Sequence, residues 1–424
     1  MSGAISDAVS YLSAQSALSL LALFWFTVIF ELPRYTIAFA SAALSRLKSA
    51  WWPARTLLHD VGRVTVVIAG HSEADSIERC VLGMHEQSRP PDEIIVVSDG
   101  STDNMPEVLA DLQRRGLIDQ AHSTNLRCGK AAAVNLAERW TTGDILINID
   151  CDCSFDRHAL KHILSPFADP AVGAVSGNIL ARNDRTGLIP AFQAIEYLIS
   201  ISLGKQAAGL IDQVVCASGA FGAFRMTALR AGNGLDVGGG EDLDLTLKLR
   251  KAGWKIHFAD AAICYTDVPD TLRALTNQRF RWERDAVRVR YRKHADLMNP
   301  FSTNFRLAEL LHEVEFIVFQ VLGAAILPFY VIWLFLTYGD FGLIVLLAAQ
   351  FGLLVLDLAV FALAALSTPK ASALHLFPYV PGYSLFNGVY MRFVRLFAYV
   401  QEWIFNASAG DNYVPEKVRL LRKW

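Results

Sequence analysis

The stretch GDILINIDCDCSF (residues 143–155) decides the fold. A short apolar run, ILINI, carries no helical spacing and ends on acids and small residues. Such a run reads as a buried strand that delivers polar groups at its carboxyl end. Two more stretches repeat the pattern: RVTVVIAG (63–70) and DEIIVVSDGS (92–101). Between and after them lie segments with helical spacing: SIERCVLGMHEQ (76–87), NMPEVLADLQRRG (104–116), with a glycine stop, and KAAAVNLAERW (130–140). Strand and helix alternate. The expected fold class is therefore α/β, a doubly wound and mainly parallel sheet whose ligands bind at the carboxyl edge of the strands.

The flanks read differently. The chain has 424 residues, too many for one average domain, and only 19% are charged against 53% hydrophobic. Soluble domains carry about 25% charged residues, so membrane segments are expected. ALSLLALFWFTVIF (17–30), with its flanks, approaches the length of a span. Glu31, Pro33 and Arg34 follow it where a signal peptide would show small residues, so it reads as a retained anchor. YTIAFASAAL (35–44) extends it past a proline kink. Arg46, Lys48, Arg55 and Arg63 then place the carboxyl side in the cytoplasm. Two later runs, 314–338 and 341–366, are each long enough to span, with Gly339 and Asp340 as their turn. Asp357 inside the second hints at a polar lining. The stretch 383–405 carries Arg392, Arg395 and Glu402 and either lies in the interface or crosses within a bundle.

The expected plan is an anchor and linker (1–60), an α/β domain (61–300), C-terminal membrane and interface helices (301–410) and a basic tail (411–424) that trails off. The expected location is the inner (plasma) membrane, multi-pass, with the α/β domain cytoplasmic. A net charge of -2 argues against a nucleic-acid partner. Six scattered cysteines form no paired framework and suit reduced thiols.

Three acidic sites recur at strand ends: SDGSTD (98–103), NIDCDC (148–153) and GGGEDLD (238–244). Acids at one edge of a parallel sheet converge on a cleft and point to a metal, a proton transfer, or both. Helix capping is the competing reading for each, with Asp99, Ser101 and Asp103 as caps. Asp150 and Asp152 supply hard oxygen ligands that suit Mg2+ or Mn2+ bridging a diphosphate. Zinc on Cys151 and Cys153 with His158 or His162 lacks a second pair at finger spacing, so the thiols read as small buried hydrophobes. Lys130 opens a helix after a glycine, a place that suits a phosphate. The three glycines of GGGED allow close approach to a ligand or a moving loop. An acid there serves as a helix cap or as a base that takes a proton from a hydroxyl. In QRFRW (278–282), Gln278 and Arg281 or Trp282 share a helix face, and Arg279 and Phe280 are left to packing or lipid headgroups.

The order DGSTD, GK-x-x-x-x-N, D-x-D, E-D, Q-x-x-R-W resembles the membrane-embedded, inverting family-2 glycosyltransferases, among them cellulose, chitin, hyaluronan and poly-N-acetylglucosamine synthases. The resemblance covers about residues 60–290. It implies a GT-A-type domain flanked by transmembrane and interfacial helices. It implies a UDP-sugar donor, UDP-GlcNAc or UDP-Glc, a growing β-linked glycan as acceptor, and coupled export, with an accessory export subunit as a possible partner. Donor-binding residues would be Glu73, Asp99 (facing the uracil), Lys130, Asp150 and Arg281. Asp150 and Asp152 would hold the metal. Acceptor-binding residues would be Ser218, Gly219, Glu241, Gln278 and Trp282, and Asp242 would be the catalytic base. His71 and the Gly before Glu241 depart from the usual pattern. The tail lacks the Trp-Gly-Thr-Arg and Phe-x-Val-Thr stretches of related synthases, which with SGAFGAFR leans toward the poly-N-acetylglucosamine or chitooligosaccharide type. The alternatives are non-processive transfer to a lipid acceptor and a silent, sugar-binding export subunit.

Overall fold

The computed structural model describes residues 10–51, 61–210, 212–236, 238–368, 373–410 and 415–419. One sheet of eight strands runs through the middle of the chain: β1 (Val64–Gly70), β2 (Glu93–Asp99), β3 (Gln120–Thr124), β4 (Ile145–Asp150), β5 (Ser154–Phe155), β6 (Val172–Ala181), β7 (Phe221–Arg225) and β8 (Lys255–Thr266). Their order is β3-β2-β1-β4-β7-β6-β8-β5. The half β3-β2-β1-β4 is parallel throughout. Every residue of β2 is buried, as expected for a strand covered on both faces. Val64, Val66 and Ile68 of β1 face helices Ala74–His85, Met105–Arg114 and Ala159–Leu164. Val67 and Ala69 face the opposite layer, with Lys130–Glu138, Met226–Ala231 and Glu241–Lys251. The period of two thus splits one strand between two cores.

The other half of the sheet is mixed. β7 runs antiparallel to both β4 and β6, β6 pairs parallel with β8, and β5 is antiparallel to β8. This reversal positions the site. Because β7 runs backwards, its first residue Phe221 pairs with Ile149 near the end of β4, so Ser218 and Gly219 arrive at the edge that carries Asp150. The stretch ASGAFGAFR conceals a strand, because its glycine and alanines blur the alternation.

Two helices, Leu307–Tyr338 and Phe341–Ser367, are long and apolar enough to cross a membrane. The N-terminal pair Ala17–Leu23 and Thr27–Leu44 meets the same test only jointly and is bent by 79°. The bend falls at residues 24–26, not at Pro33, which lies inside the continuous helix Thr27–Leu44. Asp357 accepts from the Tyr35 hydroxyl at 2.6 Å, tying the two helices together.

Residues 380–405 form helical turns whose charged side turns inward. Arg392 pairs with Glu31, Arg395 with Glu283 and Glu402 with Arg292. Phe397, Trp403, Ile404 and Phe405 are left exposed on the outside. Charges thus face protein while large apolar side chains face out, an arrangement compatible with both placements expected for this stretch.

Further buried ion pairs lace the domain to the apolar helices: Arg250 with Glu309 at 3.0 Å and Arg290 with Glu313.

Candidate active site

The acids at the strand ends do converge. Ala69 of β1 pairs with Asp150 of β4, and Gly70 pairs with Ser98 of β2, one residue before Asp99. Asp99 is 4% exposed, and its two oxygens accept from the backbone N–H groups of Cys128 and Gly129, both at 2.7 Å. It thus fixes the loop that opens the Lys130 helix. This differs from a carboxylate turned toward a uracil. The rest of this motif clasps backbone of its own and the neighbouring loop, and Asn104, not Ser101 or Asp103, is the N-cap of the next helix. Asp103 accepts from the N–H of Ala74 and of Met105, and Ser101 accepts from the N–H of Ser72. These bonds join the HSEAD and DGSTD loops.

Lys130 sits at the first turn of its helix. Its ammonium donates to Asp150 and to the carbonyl of Gly219 at 2.6 Å. Burial would lower its pKa, but Asp150 outweighs that and raises it. The same Gly219 carbonyl accepts from the Asn148 amide at 2.8 Å, and the Gly219 N–H donates to Asp242 at 3.3 Å. One glycine residue therefore separates the lysine–aspartate pair from Asp242. Asn148 is a residue that sequence reasoning missed. It is 2% exposed in the middle of ILINID, and a buried polar residue inside an apolar strand was the available signal.

Asp150, Asp152 and Cys153 form a group whose ligand atoms all lie within 4.8 Å of one another. Burial, and then the Asp150 charge, raises the Asp152 pKa. Glu73 is raised too, chiefly by burial, and Asp152 and Asp150 add to this against a hydrogen bond from Ser76. Glu73 thus lies within the field of the acid pair. A divalent cation fits this donor set, since two carboxylates that repel each other gain from a shared positive charge. His158 and His162 stay outside the group, and the His158 ring bonds Ser88. Cys80, Cys151 and Cys153 pack in the hydrophobic core, as small apolar residues do.

Asp242 and Glu241 open the helix Glu241–Lys251. Asp242 also accepts from the N–H of Leu243 at 2.8 Å, so its carboxylate is held by two backbone donors. Burial, and then the neighbouring Asp242, pushes Glu241 up to about 7. Asp244, the last acid of the motif, is structural. It pairs with Lys248, Lys293 and His294, which overcome its burial and hold it down to about 2.

Two of the three glycines of GGGED, Gly239 and Gly240, admit close-packed protein. A Cβ on Gly239 would stand 2.0 Å from an Asp285 oxygen. Gly240 adopts φ +70° beside Asp285 and Val289, and Arg288 donates to the Gly239 carbonyl at 2.5 Å. Asp285 belongs to the helix Leu272–Arg288, which carries QRFRW. Asp285 lies four residues after Arg281 and seven after Gln278, so these share one face. That face is therefore presented to the loop before Asp242.

Trp282 is 39% exposed, and its ring lies 4.4 Å from the Arg279 guanidinium. Arg279 is 5% exposed and bonds Glu196 at 2.6 Å. It packs beneath the tryptophan and does not reach lipid headgroups. Ser218 turns away from Gly219 into the interior, where it accepts from Lys205 at 2.6 Å. Lys205, 6% exposed and bonded to the hydroxyls of Ser176 and Ser218, also escaped sequence reasoning, as no motif surrounds it. In the C-terminal segment, Lys417 lies near enough to Cys128 to oppose the effects of burial and Asp99 on that thiol. The rest of the expected basic tail lies outside the described residues.

Residues 65–232 match the family model described as Glycosyl transferase family 2. The chain carries a family-2 glycosyltransferase domain. Relatives of this glycosyltransferase include poly-beta-1,6-N-acetyl-D-glucosamine synthases. One from Staphylococcus aureus is 29% identical over 59% of the present chain and 60% of its own length. Another from Staphylococcus epidermidis is 28% identical over 52% and 53%. The chain thus spans less than two thirds of these relatives. Among solved structures, a mannosyltransferase from Pyrobaculum calidifontis in complex with GDP-Man and Mn2+ shares the fold, with a TM-score of 0.53 and 23% identity. The match covers 79% of the present chain and 99% of the mannosyltransferase. The GT-A fold expected from the motifs is the fold observed.

Proposed function

We propose that the glycosyltransferase extends a β-linked polysaccharide from a UDP-sugar, UDP-GlcNAc first and UDP-Glc second, and passes the product through its membrane helices. The observation that carries this is the Gly219 residue, bonded to Asp242 through its N–H and to Lys130 through its carbonyl. A base and a phosphate-type cation on opposite sides of one residue suit a single in-line displacement. Asp242 takes the proton of the acceptor hydroxyl as that oxygen attacks the anomeric carbon. The diphosphate leaves on the Lys130 side, and an α-linked donor becomes a β-linked product. When bound at Asp150 and Asp152, Mg2+ or Mn2+ would neutralise charge on the departing diphosphate.

Lys130 and Arg281 supply fixed positive charge, and Glu73 borders the same pocket. Asp99 shapes the nucleotide pocket through the Cys128–Gly129 loop. Gln278 and Trp282 line the acceptor path, with the indole as a flat platform for a sugar ring. Gly219 and Glu241 form its wall, and Ser218 braces that wall from the interior through Lys205. The relatives' polymer-forming activity and the apolar helices favour a glycan acceptor, with the domain on the cytoplasmic face of the plasma membrane and an export subunit as partner.

The test is purified full-length protein with UDP-GlcNAc, UDP-Glc or GDP-Man, each with Mn2+ or Mg2+, reading nucleotide release and product size together. UDP release with a polymeric product is expected. Turnover of GDP-Man alone, or a single sugar on a lipid, would overturn the proposal.

A further inference from the structure

Cys153 shares a buried layer with Cys80, Cys151 and Cys264, and of these four it is the one grouped with the acid pair. Its sulfur lies 3.7 Å from Oδ1 of Asp152 and within 4.8 Å of an oxygen of Asp150. Its backbone N–H donates to the Asp150 carbonyl at 3.3 Å, so the turn that presents the two carboxylates also aims the sulfur. The residue is 4% exposed, which limits competition from water. Neighbouring ligands of one octahedral ion, with bonds of about 2.1–2.6 Å, stand about 3.0–3.7 Å apart. The separation from Asp152 lies at the upper end of that range. Lys130 already engages Oδ1 of Asp150, which leaves the other Asp150 oxygen for a cation.

We infer that Cys153 is a third protein ligand of the divalent cation, beside Asp150 and Asp152. This rests on reading that acid pair as the metal site of the proposed transferase. A thiolate in an otherwise oxygen-donor site changes the metal that the site prefers. Mg2+ favours oxygen and gains little from sulfur, whereas Mn2+ tolerates it and Cd2+ seeks it. The domain should therefore favour Mn2+ over Mg2+ and bind Cd2+ tightly. Its two carboxylates alone would give no such bias.

The test uses the full-length protein in detergent, titrated with Cd2+ and read by the ultraviolet thiolate-to-cadmium charge-transfer band. In parallel, Mn2+ binding is read by electron paramagnetic resonance with Mg2+ as competitor. The wild type should show a band that saturates near one Cd2+ per chain. Cys153→Ser and Cys153→Ala should lose it, and Cys151→Ser, a buried thiol two residues away, should keep it. Loss of an outer-shell partner costs roughly 10–100-fold in metal affinity, so loss of a ligand should lower Mn2+ affinity by at least the lower figure, and Mg2+ affinity by less, so that the Mn2+-to-Mg2+ ratio falls. Equal melting temperatures of the serine and wild-type proteins guard against misfolding. An undiminished band in both Cys153 variants, or an unchanged Mn2+-to-Mg2+ ratio, would overturn the inference. Asp152→Asn separates the two claims. If it abolishes metal binding while Cys153→Ser changes nothing, the metal site stands and the cysteine ligand falls. If Asp152→Asn binds metal normally, the underlying site assignment falls as well.

Discussion

Replacing Arg279 by alanine should damage the protein far more than its place in a basic, tryptophan-containing stretch suggests. The guanidinium is 5% exposed, bonded to Glu196 at 2.6 Å and set 4.4 Å from the Trp282 ring. Removing one partner of a buried pair strands the other charge, at a cost of about 3–5 kcal/mol. The lost stacking on Trp282 adds about 0.5–2 kcal/mol. In a domain of this size each kcal/mol moves the melting temperature by about 2–4 °C, so a drop on the order of 10 °C is expected. The assay is thermal unfolding of detergent-solubilised wild type, Arg279→Ala, Glu196→Gln and the double variant. The double variant should recover part of the loss, because neutralising Glu196 removes the stranded charge. A drop below about 2 °C, or strictly additive losses, would refute the buried-pair reasoning and return Arg279 to the surface.

Two further outcomes follow from the same geometry. Gly239→Ala would place a methyl group 2.0 Å from an Asp285 oxygen, so it should cost about 1–3 kcal/mol as an overpacked contact. It should also lower transfer by shifting the QRFRW helix against Asp242, and Asp285→Ala should partly rescue both; no rescue would discount the contact. Glu241 has a folded pKa raised from 4.5 to about 7. The stability it contributes is complete below its unfolded value and lost as pH rises through about 7. Melting temperatures at pH 5 and pH 8 should therefore differ more in wild type than in Glu241→Gln, and equal differences would discount the raised carboxyl.

The parallel half of the fold was legible because its strands are apolar runs closed by acids, and a strand covered on both faces leaves that trace. The antiparallel β7 was not, since FGAFR sets Gly222 and Ala223 side by side and shows no alternation of apolar and polar residues. The acids at strand ends, Asp99, Asp150 and Asp152, were placed at one edge of the sheet by position alone. What they touch was not legible: Asp99 binds backbone N–H groups, and no sequence pattern distinguishes that from a ligand contact. The glycines before Glu241 announced a close approach but not its object, which lies more than forty residues away at Asp285. Arg279 and Lys205 are buried charges, which composition alone reads as surface.

The central claim is that Asp242 acts as base across Gly219 from the groups that hold the donor. It is tested most directly by measuring transfer and UDP binding together in Asp242→Asn. The account predicts a fall in turnover of about 10²–10⁴-fold, the usual worth of a positioned base, with the affinity for UDP and Mn2+ within about twofold of wild type. Retained turnover, or a loss of UDP binding as large as the loss of activity, would contradict it.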